Sequence, residues 1–98
     1  MPTVIYSAES KADLRDIWDY IARDSSFQAD RLILRFRAKL EYLAKWKTIG
    51  RQRPEFTPGC RSYPFGKYCF YFRPTDTGIE VLRILHSARD LDQITFPK

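Results

Sequence analysis

The sequence holds a single histidine, His86, and two cysteines, Cys60 and Cys69. A structural zinc site needs four such ligands at set spacings, and these three residues do not provide them. No metal and no other cofactor is therefore expected. Long apolar runs are also missing. None approaches the roughly 20 residues that a bilayer-spanning helix requires, so no membrane attachment is expected. The first residues, Met1-Pro2-Thr3-Val4-Ile5-Tyr6, lack the basic start and long apolar stretch of a secretory signal. The expectation is a cytoplasmic protein with two free, packed thiols, since disulfides belong to oxidising compartments. Repeats and low-complexity segments are absent as well, which argues against a solenoid or a linker.

What is present suits one folded domain spanning residues 1–98. Hydrophobic residues make up 44% of the chain and aromatics 15%, more than a disordered segment carries. The length allows one modest core. The formal charge is +5, and it is unevenly placed. Residues 8–30 carry six acidic and three basic side chains, a net of −3, whereas residues 31–67 carry ten basic and two acidic ones, a net of +8. That asymmetry points either to an anionic partner, nucleic acid or an acidic protein segment, or to a solvated charged surface.

Local patterns give the element order. Thr3 to Tyr6 is β-prone. Ser7 or Ser10 can cap the helix that follows, on which Leu14, Ile17, Trp18 and Ile21 fall at helical spacing and which should end near Asp24. Ser25 with Gln28 three residues on is a second capping signal, and Ile33, Phe36, Leu40 and Leu43 continue as an apolar stripe. So short a connection makes the two helices an antiparallel hairpin, whose stripes the strands must cover. Residues 48–59, with Gly50, Pro54, Pro58 and Gly59, read as an exposed basic loop. Residues 60–65 and 68–73 flank Gly66-Lys67 as a hairpin, Pro64 suiting an edge, and residues 79–86 form a third strand after Asp76-Thr77-Gly78. The expected fold is α+β: an N-terminal strand, an antiparallel helical hairpin, then a C-terminal antiparallel three-strand meander forming one sheet.

The last strand is apolar on both faces. Strict alternation places Leu82, Ile84 and His86 on one side and Val81, Arg83 and Leu85 on the other. An arginine on such a strand must pair with a carboxylate or face a groove, because a lone buried charge is costly.

Taken in order, Ala12-Asp13-Leu14, Ile17-Trp18, Tyr20-Ile21-Ala22, Gly50-Arg51, Gly59-Cys60-Arg61-Ser62, Tyr68, Phe70-Tyr71-Phe72, Leu82-Arg83-Ile84-Leu85-His86 and Arg89-Asp90 resemble the signature of the ParE branch of the ParE/RelE toxin superfamily, over nearly the full length. One departure is Lys47-Thr48-Ile49, where the family often has a proline, which leaves the end of the second helix open. The resemblance implies a toxin of a type II toxin–antitoxin module, of the kind also called plasmid stabilisation proteins. It implies neutralisation by a cognate ParD-like antitoxin. Its target is DNA gyrase in the ParE branch and ribosome-bound messenger RNA in the RelE branch.

The residues separate the two targets. RNA cleavage needs a base, an acid and cations for the phosphorane charge. Arg61 and Arg83 match positions where RelE-type enzymes resemble this chain, and His86, which the ParE signature also carries, is the candidate acid or base. RelE-type enzymes often add a tyrosine or histidine in the tail, and the tail after residue 90 holds neither. His86 can instead bond to the following turn, with Asp90 as a candidate partner. A non-enzymatic gyrase poison is therefore the favoured reading, with a ribosome-dependent endoribonuclease second and an inactive antitoxin-binding homologue third. Candidate target contacts are Arg51, Arg53, Arg61 and Arg83, with direct nucleic-acid binding left open. Candidate antitoxin contacts are the anchors Phe27, Trp46, Tyr63 and Phe65, with Arg31 and Arg35 to steer an acidic segment that orders on binding.

Overall fold

A computed structural model describes residues 2–97. Met1 and Lys98, which belong to the N-terminal stretch and the tail read above, lie outside the described residues. The elements are β1 (Thr3–Tyr6), α1 (Ala8–Ala22), α2 (Ser26–Lys45), β2 (Arg51–Gln52), β3 (Arg61–Phe65), β4 (Tyr68–Pro74) and β5 (Gly78–His86), followed by a 3₁₀ turn at Leu91–Gln93.

Both helices start where a serine can satisfy a free backbone N–H. The Ser7 hydroxyl accepts from the Ser10 N–H at 3.0 Å, so Ser7 is the cap and Ser10 lies buried inside the helix. The Ser25 hydroxyl accepts from the Gln28 N–H at 3.2 Å. The two helices are tied by the Trp18 indole N–H, which donates to Asp30 Oδ1 at 2.7 Å. The second helix ends at Lys45, with Trp46 as its C-cap, and the Ile49 N–H then donates to the Trp46 carbonyl.

The sheet is larger than the expected meander, and it is mixed. Five strands lie in the order β1-β5-β4-β3-β2. β1 runs parallel to β5, with Thr3 opposite Gly78 and Tyr6 opposite Val81. Gly78 makes this pairing possible, because a Cβ there would run into the Thr3 carbonyl. Part of the expected basic loop is the short strand β2, paired with Arg61 and Ser62. Pro64 lies beyond that pairing, at an open stretch of the edge. The remainder of the loop is not wholly exposed: Thr57 is buried and Phe56 is packed under the sheet.

β5 does not alternate strictly. Phe72 pairs with Val81 and Tyr71 with Arg83, so Leu82 is an extra residue on β5. The bulge reverses the sides after it. Val81 and Ile84 enter the helix-side core with Phe36, Leu40, Leu43, Phe70 and Phe72. Leu82 and Leu85 join a second cluster on the other face with Tyr71 and Cys60, covered by Phe56, Leu91, Ile94 and Phe96. The expected grouping of Leu82 with Ile84, and of Val81 with Leu85, is thus incorrect.

The stripes on the two helices also fare differently. Phe36, Leu40 and Leu43 of α2 are fully buried, while Leu14, Ile17 and Ile21 of α1 are only half-buried. β1 has four residues and stops opposite Val81, so among the described residues no strand covers that edge of β5 beyond Val81. α1 packs there against β5 and α2, and part of its apolar stripe remains open.

Candidate functional site

Where β1 stops, α1 completes the edge of β5. The Ser7 N–H donates to the Val81 carbonyl at 3.0 Å and the Ser7 hydroxyl to the Leu82 carbonyl at 2.8 Å. Asp13 then takes over: its Oδ2 accepts from the Ile84 N–H at 3.0 Å. The same carboxylate receives Arg83 in a two-point bond, Nε to Oδ2 at 2.8 Å and Nη2 to Oδ1 at 2.7 Å. The third arm, Nη1, donates to the Thr95 carbonyl at 2.7 Å. Asp13 holds the Arg83 guanidinium further above the usual arginine range, against the opposing effect of burial. Arg83 is therefore a tie between α1, β5 and the C-terminal segment.

The other residues named for catalysis or target binding go to separate partners. Arg61 Nη1 donates to the Thr48 and Gly50 carbonyls at 2.8 and 3.1 Å, pinning the connection between α2 and β2. Ser62, Tyr71 and Arg83 form one row across three strands, so the Arg61 and Arg83 backbones stand about 10 Å apart. Their guanidiniums are tied to different parts of the molecule, one to the α2–β2 connection and the other to α1 and the tail. Arg53 pairs with Glu55 at 2.8 Å and lies over the Phe56 ring. Arg51 is exposed on the short edge strand β2. His86 Nδ1 accepts from the Ala88 N–H at 3.1 Å, and its ring meets Tyr68 edge-on. The turn bond expected of His86 thus goes to Ala88; Asp90 instead accepts from the Asp92 N–H and caps the 3₁₀ turn. Both cysteines are free, and burial pushes the Cys60 thiol up to about 11 and raises that of Cys69.

The half-buried side of α1 opens on a groove of about 750 Å³. Its apolar floor comes from Ile17 and Ile21 of α1, Leu32 of α2, and Phe65, Tyr68 and Ile84 of the sheet. Arg35, Lys67, His86 and Arg89 stand around it, and Asp13 and Asp16 form part of the α1 wall. Asp13 is already engaged by Arg83, so cations dominate the rim. Tyr20 is an exposed aromatic at the mouth. Burial raises the Tyr68 hydroxyl above its ordinary range, so it remains a neutral donor and acceptor.

Of the six antitoxin candidates, Phe65 and Arg35 line this groove, Arg35 lying 5.4 Å above the Phe65 ring. Arg31 lines a smaller adjoining hollow with Leu32 and Arg35. Tyr63 is half-buried beneath Lys39. Phe27 and Trp46 are exposed on α2 and at its end, outside the groove. Sequence reasoning missed the α1 wall: it assigned Ile17 and Ile21 to a stripe the strands must cover, and it gave Tyr20 no site role. The available signal was the length of the first strand: four β-prone residues are too few to flank all of β5.

Residues 4–91 match the family model described as the ParE toxin of a type II toxin–antitoxin system, parDE. Proteins named Toxin ParE1 from two strains of Mycobacterium tuberculosis, CDC 1551 / Oshkosh and ATCC 25618 / H37Rv, are each 31% identical over 91 residues, covering 91% of this chain and 93% of the relative. A solved structure titled as the chromosomal ParDE TA system from P. aeruginosa superposes with a TM-score of 0.71 at 24% identity, covering 88% of this chain and 96% of that one.

Proposed function

The chain belongs to the ParE toxin family of type II toxin–antitoxin systems, and on that premise we propose that it poisons DNA gyrase in the cytoplasm and is neutralised by a ParD-like antitoxin held in the groove between α1 and the sheet. The groove carries this reading. A half-buried apolar floor under a cationic rim suits a segment that presents apolar side chains on one side and carboxylates on the other. Such a segment gains affinity from the floor and orientation from the rim.

The choice of gyrase over RNA rests on the state of the candidate catalytic groups. Arg83 already directs three donors at Asp13 and Thr95, and Arg61 holds two backbone carbonyls. Phosphorane stabilisation would require these cations to face a common point, and their partners lie apart. A gyrase poison needs only a surface that holds the enzyme–DNA intermediate. Arg51, exposed on the edge strand, is a contact available for that role.

The test uses the purified protein in gyrase supercoiling and cleavage assays and, in parallel, with translating ribosomes. The expected result is blocked supercoiling with accumulation of cleaved DNA, reversed by the antitoxin. Ribosome-dependent messenger cleavage with gyrase untouched would overturn the proposal and establish the ribonuclease reading.

A further inference from the structure

α2 faces the sheet through Phe36, Leu40 and Leu43. Its opposite side carries a second apolar row. Phe27, Leu34 and Tyr42 are 64%, 66% and 45% exposed, and exposed Ala38 lies between the last two. Steps of seven and eight residues each amount to two helical turns, so the row is one stripe about 22 Å long. A helix on the surface of a globular protein ordinarily puts charged residues there. Apolar positions at this spacing form the seam of a helix–helix contact.

The flanks of the stripe identify the partner. Arg31, Arg35 and Lys39 stand four residues apart and form a basic row along one side. Arg31 lies 5.7 Å above the Phe27 ring and Lys39 4.8 Å above that of Tyr42, so cations shield the aromatics from water. α2 as a whole carries five basic residues, Arg31, Arg35, Arg37, Lys39 and Lys45, against Asp30 and Glu41. Asp30 is engaged by the Trp18 indole. Two copies of this face would set like charges against each other, which disfavours self-association.

We propose that the outer face of α2 is a second docking site, separate from the groove, for an acidic amphipathic helix of about four turns. The inference rests on the proposed antitoxin and assigns it a further, helical segment. The apolar side chains of that helix pack on Phe27, Leu34 and Tyr42. Its carboxylates draw Arg31 and Lys39 off the rings into charge-assisted hydrogen bonds. Arg35 borders both this stripe and the groove, so the two segments lie on one continuous basic path and bind as linked modules.

The test compares the free chain with its mixture with the protein encoded by the adjacent reading frame, using hydroxyl-radical footprinting read by mass spectrometry. Oxidation of Phe27 and Tyr42 is expected to fall several-fold in the complex. Leu34→Asp should weaken binding about tenfold or more while leaving the thermal melt unchanged, because Leu34 lies outside the core. A complex that forms while Phe27 and Tyr42 oxidise at the free rate, and that tolerates Leu34→Asp within twofold, overturns this inference and leaves the antitoxin reading intact. A free chain that is dimeric by light scattering, and monomeric as Leu34→Asp, overturns it too by assigning the stripe to a second copy. Absence of any association between the two proteins removes the antitoxin reading itself, and this inference with it.

Discussion

At the scale of single residues, the Asp13–Arg83 pair is the most consequential contact. Side-chain exposures of 9% and 13% put both partners largely out of water. Such a pair adds little compared with a well-packed apolar replacement, but breaking it strands a charge. Arg83→Ala should cost about 3–5 kcal/mol in urea unfolding. Asp13→Ala should cost a similar amount, since it removes the acceptor for both Arg83 and the Ile84 N–H. Because each single change already breaks the bond, the double variant should lose less than the two costs added together. Strict additivity, or a loss below about 1 kcal/mol for Arg83→Ala, would show that the pair is not a structural tie. A functional defect in Arg83→Ala is therefore interpretable only alongside its stability. Buried acids give a second expectation. Burial pushes Cys60 up to about 11 and Tyr71 up to about 12, from ordinary values of 9.0 and 10.0. The folded state thus holds these protons more tightly than the unfolded state. The associated stability is complete below the unfolded values and is lost as pH rises toward the folded ones. Urea midpoints should fall between pH about 9 and 12, and Tyr71→Phe should flatten the upper part of that fall. An unchanged slope in Tyr71→Phe would assign the alkaline loss to other groups.

At the scale of elements, the helices were readable from short-range chemistry and the sheet only in part. Ser25 with Gln28, and the spacing of Phe36, Leu40 and Leu43, state α2 directly, because caps and stripes act within a few residues. The strands β3, β4 and β5 followed from β-propensity and turn residues in the same way. Three features did not, and each depends on contacts between distant residues. The parallel pairing of β1 with β5 joins Thr3 to Gly78. The pairing of Arg51 with Ser62 makes Arg51–Gln52, inside a proline- and glycine-rich stretch, a short strand. The Leu82 bulge reverses the alternation of β5, and nothing in Val81-Leu82-Arg83 distinguishes that from a regular strand. The candidate site shares this pattern. Phe65 was named as an aromatic left over after the expected core and Arg35 as a cation of the basic stretch, and both line the groove. Ile17 and Ile21 were assigned to a covered stripe, since their exposure depends on where β1 stops, and Tyr20 was given no site role. Arg83 was singled out correctly as a charge needing a partner, and only the fold identifies that partner as Asp13, 70 residues away.

At the scale of the whole molecule, the uneven charge becomes a direction across the groove. α1, from the acidic stretch, contributes Asp13 and Asp16 to one wall. α2 and the β3–β4 turn, from the basic stretch, contribute Arg35 and Lys67 to the same lining. Asp13 is engaged by Arg83, so Arg35, Lys67 and Arg89 outnumber Asp16, the remaining carboxylate around the groove. On the proposed reading, these cations would attract an acidic segment from a distance and turn its carboxylates toward Arg35, after which the apolar floor would hold it. The two stages respond differently to salt. Attraction before contact is screened over a Debye length of about 10 Å at 0.1 M salt, whereas apolar contact is not. Association of toxin with antitoxin should therefore slow by about tenfold between roughly 0.05 and 0.5 M salt, with a much smaller change in dissociation. Arg35→Gln should reduce that salt dependence, whereas Tyr68→Ala should speed dissociation and leave it intact. Stopped-flow association measured across a salt series checks all three. An association rate indifferent to salt would mean that the positive rim does not steer the partner, and that binding at the groove rests on its apolar floor alone.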